Sequence, residues 1–556
     1  MLSLLLACPS AEPADSSQTV EWPAEGSVLD DVVLVDGQGS RSGQALVLAG
    51  DTIWAVMPAG QPWPDHLQVT QGGGRWVIPG LIDSHVHLAY SGALTYQGEL
   101  VAENLAATLA WGVVGVVDVG GPTWTLALRD DLNQGSLPGP RAIATGPFLT
   151  AEGSHPCELA WDRSLCRFID DDASEQGQAL LDEGADGLKV ALSETGIGTT
   201  WPRLDPLALN DLVALGAPVF VHVGSARDAE DAEVASHLAH TPFASALTRA
   251  PQVQSIHSTI GANAAILRTD DIPETVPAQV AATWKPESYP AWADAAVGWT
   301  EQARENLALL VREQAPVLAG SDAGYYFVPH GYALHLELQE LVAAGMSPQQ
   351  ALAAATSLPA EIYGFEGLGC LDAGCEASFL VLDSDPLQDI ANTTDIAWIV
   401  HQGRPPETVS HGDEGLCFSD ADCPERCDVA AHRCEQACTA WDPLNDCGPE
   451  AWCAPADAQG LCHQESSSCD WRAQDCSTHY RETCVPADLD TGYCWPSGDR
   501  ALLESCDYRT SLCQQGLYCS PVSAVCLEFC EEDTDCSWGT CQWQQAGTQD
   551  WFGLCL

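Results

Sequence analysis

Residues 76–88 read WVIPGLIDSHVHL, an apolar run that ends on His85-Val86-His87. On an extended strand, residues i and i+2 share a face, so the two imidazoles can meet one cation. A His-x-His pair alone is a weak signal. After an apolar strand it is strong, because the C-terminal end of such a strand opens on the mouth of a parallel barrel, where barrel active sites lie.

Downstream of Trp76, apolar strand-like runs alternate with helical segments. Strands are expected at WVIPGLIDSHVH, VVGVVDVG, RAIATG, DGLKVAL, APVFVHV, ASHLAH, VQSIHST and APVLAGSD. Eight such units predict an α/β fold, a TIM-type (β/α)8 barrel. Asp322 closes the last run and His222 ends APVFVHV. A carboxylate and imidazoles at strand ends are metal-site chemistry, and the carboxylate can also accept a proton from water. Lys189 and Lys285 are the lysines among 21 basic residues, and Lys189 sits inside an apolar strand, where an unpaired ammonium is costly. The connection from Thr259 to Arg312 is long and carries Trp284, Trp292 and Trp299; a lid and an ordinary surface excursion are both compatible with it.

Residues 28–76 hold short β-prone runs bounded by Gly and Asp. SPQQALAAATSLPAEIYGF predicts an amphipathic helix and a turn, after which late strands complete the small sheet begun at 28–76. The expected organisation is a signal remnant and tether at 1–27, a small β unit from 28–76 and 366–411, a barrel at 77–365 and a cysteine-rich region at 412–556.

The net charge of −57, with 78 acidic and 21 basic residues, excludes a nucleic-acid binder that works through phosphate contacts. Of the 25 cysteines, Cys157 and Cys166 flank one loop, Cys370 and Cys375 flank another, and most of the rest lie beyond residue 412. Such density implies an oxidising compartment, and the irregular spacings argue for disulfides over zinc knuckles. The opening MLSLLLAC resembles the end of a bacterial lipoprotein signal with Cys8 as the lipidated residue, although the basic region is missing and the apolar run is short. The expected location is therefore outside the cytoplasm, as an envelope lipoprotein or a secreted protein. A lipid anchor is the expected route to a membrane.

The segments VIPGLIDSHVHL, WGVVGVVDVGG, GPRAIATG, GADGLKVALSE, VFVHVGS, LAGSDAG and ALAAATSLPAEIYGFEGLG together resemble the amidohydrolase superfamily, in its imidazolonepropionase-like and Xaa-Pro dipeptidase-like branch. The resemblance implies a barrel with a composite β-sandwich formed by both ends of the domain. It also implies two divalent cations, zinc in the first instance, bridged by a CO₂-derived carbamate on Lys189. His85, His87, Lys189 and Asp322 would hold one cation; Lys189, His222 and His240 would hold the other. His240 and His257 compete for the strand-six role, and LAHTPF looks more like the family's strand-six ending. Asp322 would be the catalytic acid and base in hydrolysing a C–N bond of a small molecule or short peptide. His155, Tyr325, Tyr326 and His330, on loops at the same barrel face, are candidate substrate contacts. The rival readings are a mononuclear cyclic-amide hydrolase or deaminase, and a cell-surface binding module without catalysis.

Overall fold

The computed structural model describes residues 22–404, apart from Gln38, 92–99, 158–164, 170–171, 193–200 and parts of 269–289. Beyond Arg404 it describes only short strand segments between Arg426 and Cys555. Cys8, the tether and the pairing of the cysteine-rich tail therefore lie outside the described residues.

The opening stretch folds as two strands. β1 (Ser27–Asp36), β2 (Gly39–Ala49), β3 (Thr52–Pro58) and β4 (Gln68–Pro79) belong to one sheet; β5 (Leu81–Val86) begins another. Gly80 is the break. A Cβ there would meet Val114 Cγ2 at 2.4 Å and the Ser378 carbonyl oxygen at 3.1 Å, so a side chain cannot pass where the chain changes sheets. Uniform hydrophobicity hides this point, because both strands are buried.

The parallel strands are β5, β6 (Val113–Asp118), β7 (Arg141–Ala144), β8 (Phe148–Thr150), β9 (Cys166–Phe168), β10 (Leu188–Ala191), β11 (Val219–His222), β12 (His237–Ala239), β13 (Ser255–His257) and β14 (Val317–Leu318). β5, β6, β10, β11, β12, β13 and β14 are buried at every position, as parallel strands covered on both faces should be. They form two ladders, β5-β6-β7 and β14-β13-β12-β11-β10-β8-β9. Backbone bonds cross between the ladders. Asp186 N–H donates to the Ala144 carbonyl at 3.0 Å, and Ser84 N–H to the Ala319 carbonyl at 3.1 Å. The third expected strand, RAIATG, continues after a turn into β8, and β9 is an unforeseen addition outside it.

The mixed sheet runs β16-β15-β4-β1-β2-β3, with β15 (Phe379–Leu382) and β16 (Ile396–Val400) supplied by the far end of the chain. It is one ladder and not two stacked ones. It curls so that β3 bonds to the segment leading into β15: Ile53 N–H donates to the Cys375 carbonyl at 2.8 Å, and Ala377 N–H to that of Asp51 at 2.7 Å. Leu46 and Ile53 thus share a core with Phe379 and Val381. Cys370 and Cys375 are bonded at this junction, and Cys157 to Cys166 beside β9.

The helix expected from SPQQALAAATSLPAEIYGF is two, Pro348–Ala354 and Ser357–Tyr363. Ser347 caps the first through a reciprocal box with Gln350. Pro359 cannot join a continuous helix, having no N–H to give and a ring that strikes the preceding turn. The carbonyls freed at the break are used: that of Ala354 accepts from Ala319 N–H at 2.9 Å, and that of Ala355 from Ile82 N–H at 2.7 Å.

Candidate metal centre

His85 is the penultimate residue of the buried β5, and His87 follows the strand. Asp322 lies in the turn after β14, past the strand itself, in the left-handed region at φ 62°. Two features hold it there. Its N–H donates to the His85 carbonyl at 2.8 Å. Asp83 accepts from Ser321 N–H at 2.9 Å and from the Ser321 hydroxyl at 2.5 Å, tying this turn to β5. A Cβ on Gly320 would meet that of His85 at 2.8 Å, which explains the glycine of AGSD.

Asp322 Oδ1 is 3.3 Å from His85 Nε2 and 3.1 Å from His87 Nε2. One ligand atom from each of the three lies within 4.8 Å of the others. His85 Nε2 is buried and, among the described residues, has no hydrogen bond of good geometry, Asp322 Oδ1 at 3.3 Å being its neighbour. An orphaned buried nitrogen facing a carboxylate and a second imidazole fits a cation. The His87 ring is oriented by Nδ1, which donates to the Gly120 carbonyl at 2.8 Å and leaves Nε2 facing Asp322 as a candidate ligand atom.

Burial, with Lys189 nearby, holds His85 well below the usual imidazole range, and burial does the same to His222 and His240. Burial alone would raise the Asp322 carboxyl, but the surrounding imidazoles hold it well below the usual carboxylate range. Neutral imidazoles beside a carboxylate are the protonation states that a divalent cation requires. Lys189 is 1% exposed, and burial lowers its amine to about 7 against the pull of Asp322 and Asp118. Its Nζ lies 5.3 Å from the Phe148 ring centre.

His222, His240 and His155 form a second group of rings. Centroids are 4.4 Å apart for His222 and His240 and 4.4 Å for His155 and His222; His240 also lies 4.7 Å from His85. His257 is elsewhere. It sits beneath the site, 2.5 Å from the Tyr363 hydroxyl and 3.4 Å from His85 Nδ1.

A cavity of about 200 Å³ opens over these groups, lined by His87, His155, Lys189, His222, His240 and Asp322 among others. Tyr325 lines it too. Tyr326 is not among its lining residues and packs on Trp292 and Tyr325. His330 is also absent from it; its Nε2 donates to the Tyr90 carbonyl at 2.8 Å, and it borders a separate small cavity. Trp292 and Trp299 reach the main cavity from the long helix Pro290–Arg312, while Trp284 packs on Phe327 away from it. Sequence reasoning passed over Asp118, which ends VVGVVD as Asp322 ends its own segment. Burial raises its carboxyl to about 7, facing His87 and Lys189.

Residues 76–405 match the amidohydrolase family. The chain belongs to that family. This amidohydrolase is 20% identical over 394 residues to an imidazolonepropionase of Pseudoalteromonas atlantica, a match that spans 68% of this chain and 94% of the other. It is 27% identical over 219 residues to an allantoinase of Streptomyces avermitilis, spanning 39% of this chain and only 43% of that relative. Among solved structures, a Xaa-Pro dipeptidase with methionine bound in its active site superposes with a TM-score of 0.57 at 20% identity, covering 69% of this chain and 100% of the other. Molinate hydrolase superposes at 0.55 and 19% identity, covering 71% and 96%. At these identities the structural likeness establishes the fold.

Proposed function

We propose that this amidohydrolase cleaves a C–N bond of a small amide or short peptide with metal-activated water, at the mouth of a (β/α)8 barrel. The observation that carries the proposal is the convergence of His85, His87 and Asp322 around a buried His85 Nε2 that has no well-formed hydrogen bond among the described residues. The named relatives, imidazolonepropionase, allantoinase and Xaa-Pro dipeptidase, support the same bond class.

His85, His87 and Asp322 would hold one divalent cation, zinc in the first instance. Carboxylated Lys189 would join them and, with His222 and His240, hold a second. A buried amine brought to about 7 has the neutral form that reacts with CO₂, and the carbamate exchanges a costly buried cation for an anionic oxygen donor. Bound divalent metal would supply Lewis acidity and bring the pKa of water toward neutrality. Asp322, ionised and flanked by imidazoles, accepts the proton of the attacking water and returns it to the leaving amine. His87, fixed through Gly120, would present its unprotonated Nε2 to that cation beside Asp322.

The mononuclear alternative has one observation in its favour: among the described residues the tight ligand group is the single set His85, His87 and Asp322. The test is a screen of the full chain, stripped and reloaded with zinc or manganese, against dipeptides, N-acyl amides and cyclic amides. Metal-restored release of amine supports the proposal. Unchanged release from the stripped chain refutes it.

A further inference from the structure

The walls of the cavity differ from its floor. Phe148, Trp201, Phe243, Trp292, Trp299 and Tyr325 line it, with Leu165 and Pro156 between them. Among the described lining residues the sole lysine or arginine is Lys189, which lies on the floor beside Asp322. The nearest arginine in sequence to Trp201 is already committed: Arg203 Nε donates to Asp228 at 3.0 Å and its terminal nitrogen to Asp231 at 2.7 Å. A substrate carboxylate beyond the scissile bond would lose its water and gain no lysine or arginine counter-ion from the described wall residues, and burying an unpaired charge is strongly unfavourable. The formal charge of −57 repels it further.

The polar groups on the walls suit a neutral ligand. Asn263 presents an amide that both donates and accepts, and His155, stacked on Trp201 with centroids 5.2 Å apart, adds an imidazole to the lining. At about 200 Å³ the cavity is smaller than the roughly 300–1,000 Å³ that takes a drug-sized ligand, so one aromatic ring and its amide fill it. Flat rings between indole faces gain both burial and stacking.

We propose that this cavity selects uncharged aromatic amides over substrates that carry a free carboxylate next to the cleaved bond. The proposal rests on the reading of the site as a C–N hydrolase and narrows its substrate class. It separates this chain from an enzyme that grips the free C-terminus of a dipeptide.

The test uses the full chain loaded with zinc and a matched pair, benzoylglycinamide and benzoylglycine, which differ in the carboxylate alone. Binding is measured by calorimetry on metal-loaded and metal-stripped protein, and turnover by release of benzoate. The neutral amide should bind roughly tenfold tighter or better in both forms. Trp201→Ala and, as an independent second variant, Phe243→Ala should each weaken its binding while the count of bound metal stays as in the wild type. Equal or tighter binding of the acid overturns the proposal, as does absence of binding by the amide. Preferred hydrolysis of the acid overturns it too, and leaves the hydrolase reading intact. Preferred binding of the amide without hydrolysis upholds the selectivity and defeats the hydrolase reading, so the two failures are distinct.

Discussion

His240 Nδ1 lies 2.8 Å from the Thr259 hydroxyl, a bond between the turns that follow β12 and β13. It leaves Nε2 of His240 to point into the cavity, and it gives Thr259, held in the left-handed region at φ 46°, a reason for its conformation. His257 has no such freedom, being held by the Tyr363 hydroxyl. His240→Ala should therefore lower bound metal and most turnover, while His257→Ala should keep the metal and lose on the order of 1–3 kcal/mol of stability from the stranded partner. Thr259→Val should weaken metal binding by roughly 10–100-fold, the usual effect of freeing a ligand from its orienting partner. Elemental analysis and denaturation of the three variants decide this, and a reversed pattern would exchange the roles of the two histidines.

The Cys157–Cys166 bond joins the loop after β8 to β9, and its neighbours His155, Pro156 and Leu165 all line the cavity. Reduction should loosen that wall and raise KM, with a smaller change in kcat, because the metal ligands lie on other strands. Cys370–Cys375 is remote from the cavity, so Cys370→Ser with Cys375→Ser should leave KM as it is. Kinetics with and without reductant on that double variant isolates the first bond. An unchanged KM would show that the wall stands without it.

Glu337 accepts from Ile260 N–H at 3.0 Å and Gly261 N–H at 2.6 Å, anchoring the start of the helix Ile260–Ala265, which follows Thr259 and carries Asn263. Burial raises its carboxyl from 4.5 to about 7. The folded state then retains a proton that the unfolded chain releases, so this group's contribution falls as pH rises from 4.5 to about 7 and is level above that. Between about pH 5 and about pH 8, the wild type should lose up to about 3 kcal/mol more stability than Glu337→Gln. Parallel denaturation curves at the two pH values would contradict this.

Much of the candidate site was legible because its residues end buried parallel strands or follow them within a few positions, where a histidine or aspartate interrupts an apolar run. His85, His87, His222 and Asp322 are of this kind, and so is Asp118, which the same rule could have found. The walls were not legible. Trp201, Phe243 and Trp299 lie on loops and a helix whose destinations depend on tertiary packing, and a tryptophan in a loop carries no mark of the side it faces. The break at Gly80 was hidden for a different reason: two buried strands in succession read as one.

The cluster of His85, His87 and Asp322 and both ends of the mixed sheet lie within residues 22–404. Truncation after Arg404 should therefore leave a folded chain with its metal and turnover. Cys8 and the pairing of the tail's cysteines lie outside the described residues, and disulfides are expected to replace a large apolar core in the tail. Melting curves and metal content of the truncated chain test this; aggregation or metal loss would make the tail integral to the fold.

The account stands most directly on one measurement: divalent metal per chain, by elemental analysis, in the wild type and in Lys189→Ala, with amide hydrolysis assayed on the same samples. The account predicts two ions in the wild type, with one or none and little turnover in the variant. A wild type that hydrolyses amides with no bound metal would contradict the metal-dependent reading. A Lys189→Ala chain with unchanged metal and full turnover would contradict the bridged site.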